Sequence, residues 1–203
     1  MSGGRKAQAN GAALERFLIE SCEWLNARGR CEVQRCKPPI NHLGPLVTWL
    51  ERHGVRVEGV GEGLFVAVYS GAPSVDFEGD LKGGLSVAFD AKSSADKTAF
   101  RFDLVTDAQL EHLRKRAALG KLCFVYARKT LAPVADFIIP VDRLARIAGI
   151  THQRSHDALL GAGRESVQWG ELVEQGLKVQ PGEYWLDTMA RILAASRWPT
   201  GGV

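Results

Sequence analysis

Asp76, Asp90 and Lys92 are the residues whose types and spacing could do chemistry. They lie in two short alternating segments flanking a Gly83-Gly84 turn, the signature of a β-hairpin. In the first segment Val75 and Phe77 share one face, and Ser74, Asp76 and Glu78 share the other. In the second, Leu85, Val87, Phe89 and Ala91 point one way, and Ser86, Ala88, Asp90 and Lys92 point the other. Folding the hairpin brings Asp76 toward Asp90 and Lys92. Two carboxylates and a lysine at a sheet rim could hold a divalent cation and activate a water. Magnesium needs only one or two carboxylates plus substrate phosphate, and it lowers the pKa of bound water. A neighbouring lysine can orient or deprotonate that water, or act as a fixed cation in the transition state. The expected chemistry is metal-dependent phosphodiester hydrolysis. A solvated hairpin bearing a surface ion pair is the plain alternative, and Asp-x-Lys alone does not decide between them.

The elements that must position these residues follow from periodicity. Leu14, Phe17, Leu18, Cys22 and Leu25 predict a helix from Ala12 to Arg28, with Asn10 as its cap and Glu15 in its first turn. There Glu15 either favours the helix dipole or supplies a further carboxylate to the metal site. Cys31 to Arg35 reads as a short strand, and Lys37-Pro38-Pro39-Ile40 as an extended path in which Lys37 is solvated or meets phosphate. Asn41 to Glu62 carries Trp49, Arg52, His53 and Arg56, a combination that suits either a nucleic-acid backbone or an ordinary charged face. Leu64 to Tyr69 is strand-like.

Ser93, Lys97 and Arg101 fall in what reads as a loop, where hydroxyls and cations could meet phosphates. Thr106-x-x-Gln109 fits a capping box opening a helix to Leu119, which explains Gln109 without catalysis. Lys121 to Ala127 is apolar on both faces, as a central strand should be. Asp136 to Ile139 predicts another strand, Val141 to Ile147 a short helix, and Trp185 to Arg197 a helix packed on the sheet. The order predicts an α/β fold with a mixed sheet flanked by helices.

Composition bounds the rest. The chain has 203 residues, is 45% hydrophobic and carries a formal charge of +3, which permits a nucleic-acid partner without requiring one. No apolar run approaches a membrane span of about 18 residues, and Met-Ser-Gly-Gly-Arg-Lys lacks a signal-peptide core. Cys22, Cys31, Cys36 and Cys123 show neither zinc spacing nor a disulfide frame, and read as reduced thiols of a cytoplasmic protein. Residues 1–11 are expected as a flexible tail and 12–203 as a single nuclease domain. Within it, 41–62 is a candidate DNA-engaging insertion and 151–203 a helical extension on the core.

Several short motifs then occur in one order. Asn10-Gly11-Ala12-Ala13-Leu14-Glu15, Lys37-Pro38-Pro39-Ile40, Ser74-Val75-Asp76-Phe77-Glu78-Gly79 and Phe89-Asp90-Ala91-Lys92 are followed by Gln109, Gly163-Arg164-Glu165-Ser166-Val167 and Leu186-Asp187. Together they resemble the PD-(D/E)xK nucleases, and within them the RecU family of Holliday-junction resolvases. Asp90 stands where that family usually has glutamate, and Asn41 to Glu62 does not match its basic stalk.

The resemblance implies a restriction-endonuclease-like core and a homodimer nicking a four-way junction symmetrically. Magnesium, replaceable by manganese, would be held by Asp76 and Asp90. Lys92 would be the catalytic lysine, Gln109 the supporting polar residue and Glu15 an accessory carboxylate. Lys37, Ser74, Ser93, Lys97 and Arg101 would contact DNA. Other branched DNA as substrate, or a catalytically silent DNA-binding recombination factor, are the alternatives.

Overall fold

Two antiparallel strands joined by a tight turn form the frame on which the other elements pack. In the computed structural model, which describes residues 3–36, 40–42, 67–69, 75–147 and 164–195, these are β4 (Phe77–Leu81) and β5 (Ser86–Ser94). Gly83 and Gly84 have φ of 102° and 86°, a region that residues with a Cβ rarely enter, so the turn depends on glycine. The register pairs Phe77 with Phe89 and Gly79 with Val87. The expected hairpin and its two faces are therefore present.

The chain opens with α1 (Gly3–Ala27) and β1 (Cys31–Arg35). Helix α1 starts at Gly3, ahead of Ala12, so the stretch expected as a tail is helical from Gly3 onward. Arg5-Lys6-Ala7-Gln8-Ala9 are strong helix formers and carry the helix through Asn10 and Gly11. Asn10 is consequently an interior residue and not a cap, and its side-chain amide donates to Thr130 Oγ1 at 3.5 Å. Leu14, Leu18, Cys22 and Leu25 form the buried stripe. Phe17 stays 42% exposed, with the Arg128 guanidinium 4.3 Å from its ring centre.

Beyond β5 come β6 (Ala99–Arg101), a 3-10 turn at Phe102–Leu104, α2 (Asp107–Ala118), β7 (Leu122–Lys129), β8 (Ala135–Pro140) and α3 (Val141–Ile147). The last described segment holds β9 (Ser166–Gln168), α4 (Trp169–Glu174) and α5 (Trp185–Ala194). Strand β9 pairs antiparallel with β6, so the C-terminal part contributes a strand as well as helices.

The main sheet has the order β1-β4-β5-β7-β8, with β5 and β7 parallel and the other pairs antiparallel. This is the mixed sheet flanked by helices that the sequence predicts. Phe77, Phe89 and Phe124 stack across three adjacent strands, with centroids 4.8 and 4.6 Å apart. Trp185 of α5 closes over Phe89 and Phe124. Each such buried ring contributes about 2 kcal/mol of burial free energy. The adjacent residues of β5 face the other way, where α2 packs.

Gly79 has a specific reason to be glycine. A Cβ there would lie 2.0 Å from the Glu32 carbonyl oxygen and 2.6 Å from Val33 Cα on β1. None of the four cysteines is joined in a disulfide. Among the described residues, no helix is long and apolar enough to cross a membrane.

Residues 36–74 form a separate compact unit, distinct from the one made by 1–35 and 75–203. Its described strands, β2 (Ile40–His42) and β3 (Ala67–Tyr69), pair antiparallel. The proposed insertion at 41–62 falls within this unit, mostly outside the described residues.

Candidate active site

The register that pairs Phe77 with Phe89 places Asp76, one step further, opposite Asp90. Asp76 Oδ2 accepts a hydrogen bond from the Ala91 backbone N–H at 2.8 Å, which fixes its carboxylate against β5. Like charges directly opposite each other on a sheet repel. The fold therefore holds the two acids close, where they repel when both are ionised and share a hydrogen bond when Asp90 is protonated.

Asp90 is fully buried. Its Oδ1 accepts from Gln109 Nε2 at 3.1 Å. Lys92 Nζ lies 2.5 Å from Oδ2, a short charge-assisted contact. The ammonium also donates to Gln109 Oε1 at 3.0 Å, so Lys92 ties Asp90 to the helix residue. Burial pushes the Asp90 carboxyl up to about 7; Lys92 opposes this, and the neighbouring Asp76 carboxylate adds to it.

Gln109 reaches the site because it sits at the third position of α2. Its backbone N–H donates to Thr106 Oγ1 at 3.3 Å, and its side-chain oxygen accepts from the Thr106 backbone N–H at 3.1 Å. The capping box is thus formed as expected. The structural explanation of Gln109 is nevertheless incomplete, because the same side chain bridges Asp90 and Lys92. Its double role has no sequence signature beyond Thr-x-x-Gln. The Thr106 hydroxyl also donates to Gln109 Oε1, at 3.1 Å, and this link is not legible in the sequence.

Glu15 is placed differently. Its carboxylate pairs with Arg35 Nη2 at 2.5 Å, and Arg35 sits opposite Phe77 at the same end of the sheet as Asp76. The structure brings Asp76, Asp90, Lys92 and Gln109 into direct contact and gives Glu15 to Arg35. Arg35 was not singled out by the sequence, since its partner is on another element.

Ser93 follows Lys92 on β5 and is half-buried. Lys97 is exposed on a turn that is ordered and not a free loop. In that turn Asp96 Oδ1 accepts from the backbone N–H groups of Thr98 and Ala99, and the Asp96 carbonyl accepts from Trp169 Nε1. The Arg101 guanidinium is engaged by both carboxylate oxygens of Asp103, so a phosphate would have to compete with that pair. Lys37 and Ser74 lie outside the described residues.

Among the described residues, no group of three or more His, Cys, Asp or Glu side chains could hold a metal ion. The donor set is a pair of carboxylates, with waters and substrate left to complete the shell. The pair fits a hard divalent cation. Asp90 is buried beside a second carboxylate, and a bound cation would relieve the repulsion between them that a proton on Asp90 relieves in its absence.

Fold and site together define an α/β protein with a mixed sheet between helices and an Asp-Asp-Lys rim. The model of the recombination protein U (RecU) family matches residues 9–158, and the chain belongs to that family. The match includes Asp76, Asp90, Lys92 and Gln109. No curated protein matches the chain. One similar solved structure is Hjc, a Holliday junction resolvase from the archaeal hyperthermophile Archaeoglobus fulgidus. It shares 16% identity over 65% of this chain and 73% of that chain, with a TM-score of 0.35, too distant to transfer a residue role.

Proposed function

We propose that this protein is a divalent-metal-dependent endodeoxyribonuclease that resolves four-way DNA junctions by paired nicks, acting as a homodimer. Membership of the recombination protein U family supports a role in recombination. The observation that carries the chemistry is Asp90, buried beside Asp76 and held against Lys92 and Gln109.

Asp76 and Asp90 would hold magnesium, or manganese in its place. The ion would supply an acidified water and neutralise charge on the phosphate. The chain's own residues do the rest. The Ala91 N–H fixes Asp76, and Gln109 fixes Asp90. Lys92 places a fixed cation where the phosphate gains negative charge as water adds to phosphorus and the sugar oxygen leaves. Ser93 and Lys97, beyond Lys92 along the chain, are suited to phosphates on either side of the cut. Arg101 joins them if Asp103 releases it. Glu15 would act as an accessory carboxylate only by exchanging Arg35 for a ligand.

A cytoplasmic location suits four cysteines outside any disulfide and a DNA substrate. Incubation with a four-way junction and matched duplex, beside Asp90→Asn, tests the reading. Two nicks at symmetry-related positions of the junction support it. Binding unaltered by magnesium, with no cut, replaces it with a silent DNA-binding factor.

A further inference from the structure

We infer that Thr106 is a positioning residue of the active site, acting through its hydroxyl on the Gln109 amide and not only as a helix cap. The inference rests on the functional reading above and extends it by one residue.

A primary amide can be turned by half a rotation about its last bond with little change of shape, exchanging oxygen and nitrogen. In one orientation Gln109 offers a donor to Asp90 and an acceptor to Lys92. In the other it offers its oxygen to the Asp90 carboxylate and its N–H groups to the Lys92 ammonium, and both contacts become repulsive. Lys92 and Asp90 belong to the reacting centre and must exchange partners when substrate arrives. A third group, outside that exchange, is needed to keep the amide in place.

Thr106 supplies it. Its backbone N–H and its hydroxyl both point at Gln109 Oε1, each at 3.1 Å, and its Oγ1 accepts the Gln109 backbone N–H at 3.3 Å. The hydroxyl therefore accepts from the backbone, as any cap does, and spends its own proton on the side-chain oxygen. A cap needs only the first of these bonds. The second adds to the backbone N–H in setting which end of the amide faces Asp90, where Nε2 donates at 3.1 Å.

The two roles separate by substitution. Ser, Asn and Asp are all good N-caps. Thr106→Ser keeps the hydroxyl proton, and Thr106→Asn offers an amide N–H in its place. Thr106→Asp keeps the cap acceptor but sets a second oxygen against Gln109 Oε1, favouring the turned amide.

The test uses the full-length protein. Melting temperature, junction cleavage with magnesium, and hydrogen-exchange protection of the Gln109 side-chain amide by 15N NMR are read for each variant. Expected are Ser and Asn variants within threefold of wild-type turnover, with the Gln109 amide protected. The Asp variant should melt near wild type and cleave at least tenfold more slowly, its turned amide now donating to the residue-106 carboxylate and no longer to Asp90. An Asp variant with a rate equal to the Asn variant would overturn the inference and leave Thr106 a cap alone. Should the Asp variant melt below the assay temperature, Thr106→Gly, which as an N-cap costs little stability and has no hydroxyl, replaces it: its Gln109 amide should lose protection and its cleavage fall at least tenfold, and an unchanged rate would overturn the inference. A wild-type protein that cleaves no DNA would count against the proposed activity, while amide protection in Thr106→Gly would still decide the role of Thr106.

Discussion

Asp90 and Gln109, on a central strand and the first turn of α2, are joined by a hydrogen bond of 3.1 Å from Nε2 to Oδ1. The same amide closes the capping box, so one side chain serves helix and site. Gln109→Glu separates these uses, because glutamate also satisfies a capping box but turns an oxygen toward Asp90. The variant should melt within a few degrees of wild type and cleave at least tenfold more slowly. Gln109→Ala should lose cleavage and the reciprocal bond of the capping box, with a fall in melting temperature.

Asp90→Asn is expected to abolish cleavage without unfolding the protein. Ionised Asp90 is unfavourable in its buried position, as its upward shift records, and asparagine has the shape of the protonated acid. At pH 8 without metal, the variant's melting temperature should equal or exceed that of wild type. Calorimetry showing it several degrees lower would make Asp90 a structural ion-pair member and not a metal ligand.

The sign of the pH dependence follows from the same carboxyl. Its pKa in the fold, about 7, lies above its ordinary value of 3.8. Between these values the folded state binds the extra proton, so the contribution to stability is full below about 4 and lost as pH rises through 7. Magnesium competes with that proton. The rise in melting temperature on adding magnesium should therefore be larger at pH 8 than at pH 5. Equal increments at both would show that Asp90 does not bind the ion.

Gly79 is held between β1 and β5, and a methyl group there meets backbone. Backbone cannot yield as a side-chain tip can. Gly79→Ala should cost about 3 kcal/mol and be visible as a fall in denaturation midpoint, with any loss of cleavage following the loss of fold.

The hairpin was legible because period-two alternation and a double glycine specify it locally, and that alternation already set Asp76, Asp90 and Lys92 on one face. The α2 capping box and the doubly buried β7 were legible for the same local reason. What stayed hidden was non-local. The pairing of β6 with β9 joins two three-residue strands far apart in the chain, with no turn to announce it. The Glu15–Arg35 pair requires knowing that α1 crosses the end of β1. The early start of α1 was masked by Gly3, Gly4 and Gly11, which read as breakers although the residues between them favour helix.

Cutting of branched DNA by the Asp76–Asp90–Lys92 rim is measured with a four-way junction of fixed arms and mobile core, beside a linear duplex of matched sequence, in magnesium. Paired symmetric nicks are expected in the junction, none in the duplex, and none from Asp90→Asn. Undiminished junction cleavage by that variant would contradict that role of the rim.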